Sequence, residues 1–423
     1  MTSVPNHPLP LSGNNRIQFL TAFILLLSSC ALLQGSKPVQ PSPEKPKEVV
    51  KSEKQTPLPK EDVTAPLPKT NETVWFYGDR YEVANRKRDL KVAVILPFQS
   101  EERLADIMFE YYLGLKEAFL EIENDDVNFK LIVYSISNDS ASIARLLFKQ
   151  ELKSADAIIG PIGDVAMNLV SSFGLKHKIP VFSPFSPVDQ LSQPNPLFFN
   201  LNTDRKSKAT AMASFLKRNY PKAKFIIVRD GKKYDKEFVP VLMAELDKQK
   251  IAYTKVNFGN FNSWATYLSG EQNLVYVPTT EKNVVSVTLG NIFSVKKNVI
   301  ILGEYKWVDL VNNDYKFWET LNVHLVGTSF VDYHDSTNYY FRLNYRNKYV
   351  TDPGEYAHLG YAQGRFLSEA MSAFGTAFPM YISGKSFAYN GSCFQFSAQN
   401  GIRYNNHLWI LKYQDHKLTP LSP

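Results

Sequence analysis

Two cysteines, seven histidines and 41 carboxylates are the groups in this 423-residue chain that could do covalent, metal or acid–base chemistry. The histidines show no HExxH-type or other ligand spacing, and no CxxC occurs, so no metal centre is expected. No Gly-x-Ser-x-Gly elbow, P-loop or GxGxxG follows a strand-like run, which removes the commonest nucleophile and nucleotide chemistries. His324 alternates with Val323 and Leu325 and reads as a structural histidine in a strand. His358, just before Leu359-Gly360-Tyr361 at a helix start, reads as capping or packing. Cys393, inside Ser392-Cys393-Phe394-Gln395-Phe396, reads as a buried small hydrophobe. Catalysis has no constellation to stand on: no enzyme activity and no cofactor are expected. That leaves the Cys30 thiol.

The elements around Cys30 give it a role. Residues 17–29 are an apolar run behind a single cation, Arg16, and end in small residues. The run is too short to cross a hydrocarbon layer of ~30 Å as a stable helix, and its layout is that of an export signal. Leu27-Ser28-Ser29-Cys30 resembles a bacterial lipobox, in which the thiol is alkylated with diacylglycerol before cleavage. Several acyl chains on one cysteine anchor stably, unlike a single chain. Ala31, in place of Asp, implies the outer membrane by resemblance to the sorting rule of diderm bacteria. Cys393 is then left without a disulfide partner.

Residues 36–70 are rich in Pro and Lys with almost no aromatics, so they cannot bury enough surface to order themselves. The expected division is signal peptide 1–29, a lipidated and disordered tether 30–89, and a folded body 90–423. The formal charge of +7 is diffuse, with no Lys/Arg block, and does not point to nucleic acid.

From Leu90 the periodicity changes. Lys91–Leu96 is a continuous apolar run ended by Pro97, as a buried parallel strand should be. Leu104, Ile107, Met108, Tyr111, Leu115 and Phe119 then recur at helical spacing. Strands over Lys130–Ser135, Ala157–Gly160 and Val181–Phe182 follow, with helices between them. After Pro196 the pattern restarts, with strands at Lys224–Arg229, Tyr253–Phe258, Asn273–Val277, Asn298–Leu302 and Asn322–Thr328. A helix over Glu355–Phe374 precedes alternating β-like sequence from Lys385 to Leu418. This reads as α/β, two Rossmann-like doubly wound units plus a tail that completes them.

Val94-Ile95-Leu96-Pro97-Phe98, Ile159-Gly160-Pro161, Ile179-Pro180-Val181-Phe182-Ser183-Pro184, Leu302-Gly303 and Gly360-Tyr361-Ala362 stand in a telling order. In that order and spacing, residues 90–423 resemble the type I periplasmic binding proteins, particularly the branched-chain amino-acid-binding group of ABC transporters. The resemblance implies two lobes joined by a three-crossing hinge. Lobe one would be about 90–203 plus 329–376, and lobe two about 204–328 plus 377–423. It also implies ligand contacts at Phe98, Asp164, Ser183, Ser186, Tyr234, Thr280 and Glu304. Asp164 stands where the family has Ser or Thr, and Pro187 where it has Thr. An aspartate would repel a ligand carboxylate, so a standard α-amino acid fits poorly. Glu304 could pair with a ligand ammonium or be a surface residue after a strand. Asp164 also suits a helix N-terminus, where an acid offsets the dipole.

The implied function is a lipid-anchored solute-binding protein of the cell envelope, facing the periplasm. It would capture an amino-acid-, peptide- or cell-wall-fragment-like ligand between its lobes and serve an ABC permease. The alternative is an envelope lipoprotein that uses the same fold as a regulatory or protein-interaction module, for example on a cell-wall synthase.

Overall fold

The computed structural model describes residues 71–421, apart from Asn85, residues 123–125, Asn138, Ser186, residues 261–262 and residues 311–314. The signal run, Cys30, most of the tether and Ser186 therefore lie outside the described residues.

The tether was expected to reach residue 89, but folded structure starts earlier. Strands β1 (Asn71–Phe76) and β2 (Asp79–Ala84) form an antiparallel hairpin. Tyr77 and Gly78 between them both have positive φ, 51° and 84°, which matches the right-handed twist of the flanking strands. Val74, Phe76 and Val83 point inward, and the Phe76 ring lies 5.1 Å from both Phe374 and Phe387. Behind the hairpin, Arg86 binds Glu72 and Asp126 and donates to the Ser372 carbonyl. Short apolar alternation between charged residues hides this hairpin in a polar context.

Strand β3 (Asp89–Leu96) is the expected apolar run, with Val92 to Leu96 wholly buried. It pairs in parallel with β4 (Asn128–Ser135) and β5 (Ala157–Ile159), and β6 (Val181–Ser183) and β7 (Phe198–Thr203) extend the sheet. The chain then builds a second sheet from β8 (Lys224–Arg229), β9 (Tyr253–Asn257), β10 (Asn273–Tyr276), β11 (Val299–Glu304) and β12 (Val323–Gly327), all parallel. Helices Ser336–Tyr349 and Glu355–Phe374 return to the first sheet, where the latter packs along Glu102–Ile122. These two helices touch backbone to backbone: a Cβ on Gly114 would sit 1.9 Å from the Ala357 carbonyl oxygen, and one on Gly360 2.1 Å from that of Tyr111.

The tail divides between the sheets. Strands β13 (Ser386–Tyr389), β14 (Ser392–Gln399) and β15 (Ile402–Asn405) join the first sheet through β15 and β7, whereas β16 (Trp409–Gln414) and β17 (Lys417–Pro420) extend the second from β12. The expected assignment of 377–423 to lobe two therefore fails for β13–β15. Their inward aromatics explain it: Phe394 stacks on Phe366 at 4.6 Å, and Phe396 meets Phe199 at 5.3 Å, both in the first-lobe core. Leu411 and Tyr413 instead join the second core.

Three chain crossings connect the lobes, between Thr203 and Arg205, Gly327 and Ser336, and Asn405 and Trp409. They are cross-tied. Thr203 donates to the His407 carbonyl, the Asn405 amide to the Leu201 and Cys393 carbonyls at 2.9 and 2.8 Å, and Ser207 to Asn406 at 3.0 Å.

Candidate functional site

A cleft of about 1090 Å³ opens between the lobes. Its second-lobe wall is the carboxyl ends of β11 and β12 and the segments after β10 and β11, with Thr280, Glu304 and Tyr305. Its first-lobe wall is the opening turn of the 355–374 helix, with Glu355, Tyr356 and His358. Asp332 and Tyr333 on the second crossing line the space between. Carboxyl ends of parallel strands at a lobe boundary are where open α/β sheets bind ligands.

Glu304 ends β11 and is buried, so it is not a surface residue. The Lys208 ammonium donates to its Oε2 at 2.6 Å, and the Tyr276 hydroxyl donates to its Oε1 at 2.6 Å. The same ammonium donates to Tyr234 at 2.6 Å and lies over the Phe238 ring, 4.9 Å from its centre. Burial pulls the Lys208 pKa down, but Glu304 and Tyr234 outweigh it, so Lys208 sits above an ordinary lysine and stays charged. Burial also pushes Tyr234 up to about 12. Neither open reading of Glu304 holds as stated: it is buried, and its cation is supplied by the chain itself.

Of the seven residues expected at the site, Tyr234, Thr280 and Glu304 line the cleft. Phe98, Asp164 and Ser183 do not. Phe98 packs into the first-lobe core with its ring 6.1 Å from Tyr112. Ser183 is buried within β6. Asp164 is exposed at the start of helix Asp164–His177, the dipole-offsetting position. The loop after β6 is packed against two helices: Phe185 lies 4.7 Å from the Tyr111 ring, and Gln363 of the 355–374 helix donates to the Pro184 carbonyl at 2.8 Å. Sequence reading missed Lys208 and His358 as parts of this cleft, and Tyr276 as the buried partner of Glu304. Lys208 has a faint signal, since Lys208, Met212 and Leu216 repeat every four residues on one buried helix face.

The histidines differ sharply. His324 is satisfied: its Nδ1 contacts the Asn322 carbonyl at 2.8 Å and its Nε2 the Tyr220 hydroxyl at 3.2 Å. His358 is 2% exposed, and both ring nitrogens are buried without a hydrogen-bond partner in the protein. It packs edge-on against Phe341 and Tyr333, at 5.1 and 6.0 Å. Burial, aided by Arg342, lowers its pKa to about 4, so the ring is neutral near pH 7. Cys393 is buried as expected, and burial raises its thiol to about 11. On the helix Ser336–Tyr349, Phe341 and Tyr345 are core, while Tyr339 and Tyr340 face solvent. Among the described residues no group of three or more His, Cys, Asp or Glu could hold a metal ion, and no helix is long and apolar enough to cross a membrane.

The same architecture occurs in solved structures. An ABC-type branched-chain amino acid transporter protein from Rhodopseudomonas palustris matches 79% of this chain and 96% of its own at 13% identity and a TM-score of 0.58. A branched-chain amino acid ABC transporter periplasmic ligand-binding protein from Burkholderia xenovorans matches 79% and 94%, at 12% identity and a TM-score of 0.55. The chain has the type I periplasmic binding fold. Residues 120–308 also match the family model described as "Receptor family ligand binding region". No curated protein matches the chain. In this binding fold the cleft between the lobes is the structural counterpart of the expected hinge site, and Lys208 is a resident of it that the resemblance did not imply.

Proposed function

We propose that this protein is a solute-binding protein of the cell envelope that captures a small ligand between its lobes and delivers it to an ABC permease. The observation that carries this reading is the cleft itself: about 1090 Å³ at the carboxyl ends of parallel strands, bounded by three crossings able to act as a hinge. The Cys30 lipid would hold the body to the outer membrane on the periplasmic side. With the hairpin starting at Asn71, the tether would span residues 31–70.

One observation favours a second reading, an interaction module without a ligand: a strong charged subsite of the cleft is already filled by Lys208. A thermal-shift series on the full chain separates the two. A soluble ligand of the cleft at 100 times its Kd should add about 2.7 kcal/mol and raise the melting temperature by several degrees. Amino acids, short peptides, muropeptides and amino sugars are the compounds to try. Binding to a cell-wall synthase that persists after Thr280→Trp obstructs part of the cleft would contradict the transport reading. Membrane association should be lost in Cys30→Ala, and retention of that variant in the membrane fraction would contradict the anchor.

A further inference from the structure

Two features of the cleft constrain what it takes, and they are independent. The first is that three of the four lysines and arginines lining it have carboxylate partners within the protein. Lys208 binds Glu304 at 2.6 Å, Arg205 binds Glu237 at 2.7 Å, and Lys306 faces Glu355 at 3.9 Å across the two walls. Of these, only the Lys208 pair is buried, and it occupies the place where a ligand ammonium would meet Glu304. A second cation there would face Lys208 at close range and would have to displace it.

The second feature is His358, a residue of the cleft wall whose two ring nitrogens are buried without a partner in the protein. Burying such groups unbonded is costly, and native structures rarely keep them without a reason. A neutral imidazole offers one N–H donor and one bare-nitrogen acceptor. Hydroxyl and amide groups, which both donate and accept, complement it. A carboxylate can only accept and an ammonium can only donate, so each would match half of it.

We propose that the cleft binds an electrically neutral, hydroxyl- or amide-bearing ligand read by His358, and that Lys208 excludes ligands with a free ammonium by filling the cation subsite itself. This rests on the cleft being a small-ligand site. The shared chemistry fits both an N-acylated sugar and a blocked peptide, and the test separates them.

Isothermal titration of the full chain would use di-N-acetylchitobiose, N-acetyl-Ala-Ala-amide and L-leucine as probes. One of the neutral probes should bind and leucine should give no heat, the responding probe telling sugar from peptide. His358→Phe should weaken that binding at least tenfold while raising the melting temperature, because it removes two unbonded buried nitrogens. His358→Gln, which keeps a donor and an acceptor, should stay within a few-fold of the native affinity. Lys208→Ala should gain detectable leucine binding. Leucine binding to the native protein would overturn the ligand class and leave the binding-protein reading intact. Unchanged affinity in His358→Phe would overturn the role of His358. No heat from any of the three, with native or variant protein, would count against the reading itself.

Discussion

Lys208→Met should destabilise the protein by about 3–5 kcal/mol, because it strands a buried carboxylate whose cation is gone. Glu304 would keep only the Tyr276 hydroxyl, and the methionine chain would still fill the space over Phe238. The mirror variant, Glu304→Gln, strands the ammonium instead and should cost a similar amount. The double variant Lys208→Met/Glu304→Gln removes both charges and should recover most of the loss, since buried ion pairs break nearly even against neutral replacements. A coupling of at least about 2 kcal/mol between the two positions, measured from urea midpoints, is the expected signature. Additive losses would mean that the pair does not act as a unit. An exposed ion pair such as Arg346–Asp352 should give about 0–1 kcal/mol in the same experiment, and so serves as the control.

Mild acid should be the second strong perturbation. Burial holds both His358 and His407 at about 4, whereas an unfolded histidine titrates near 6.5. Between those values the unfolded chain binds more protons, so stability is fully present above about pH 6.5 and falls as pH drops toward 4. At 1.36 kcal/mol per unit, each histidine accounts for a loss of up to about 3 kcal/mol by pH 4. Burial lowers His324 as well, in the same direction. Carboxylates lowered in the folded state, such as Asp139 at about 2, act below this window. The urea midpoint should therefore drop steadily between pH 7 and pH 4.5, and His358→Phe together with His407→Gln should flatten that drop. A midpoint unchanged over this range, or an undiminished slope in the double variant, would contradict the buried neutral state.

What was legible in the sequence follows from where information is local. Strands buried on both faces are unbroken apolar runs, so β3 and β8 could be read from Val92–Leu96 and Phe225–Val228 alone. The hairpin at Asn71–Ala84 was lost in the tether because only Val74, Phe76 and Val83 face inward and charged residues surround them. Period-two sequence shows which face of a strand is apolar but not which sheet accepts it, and β13–β15 were misassigned for that reason. The cleft has the same limit. Glu304 stood out as an acid ending a strand, yet its partner Lys208 is 96 residues away in a helix whose lysines mostly face water. The first-lobe candidates rested on resemblance, and Phe185 and Gln363 cover the loop they pointed to.

Native mass spectrometry of the full chain, isolated from envelopes under non-denaturing conditions, tests the central claim most directly. The account predicts one small-molecule adduct on the native protein that is lost or sharply reduced in Thr280→Trp, whose added ring intrudes into the cleft. An adduct that persists undiminished in Thr280→Trp, or a protein partner bound equally to both forms with no small molecule on either, would contradict it.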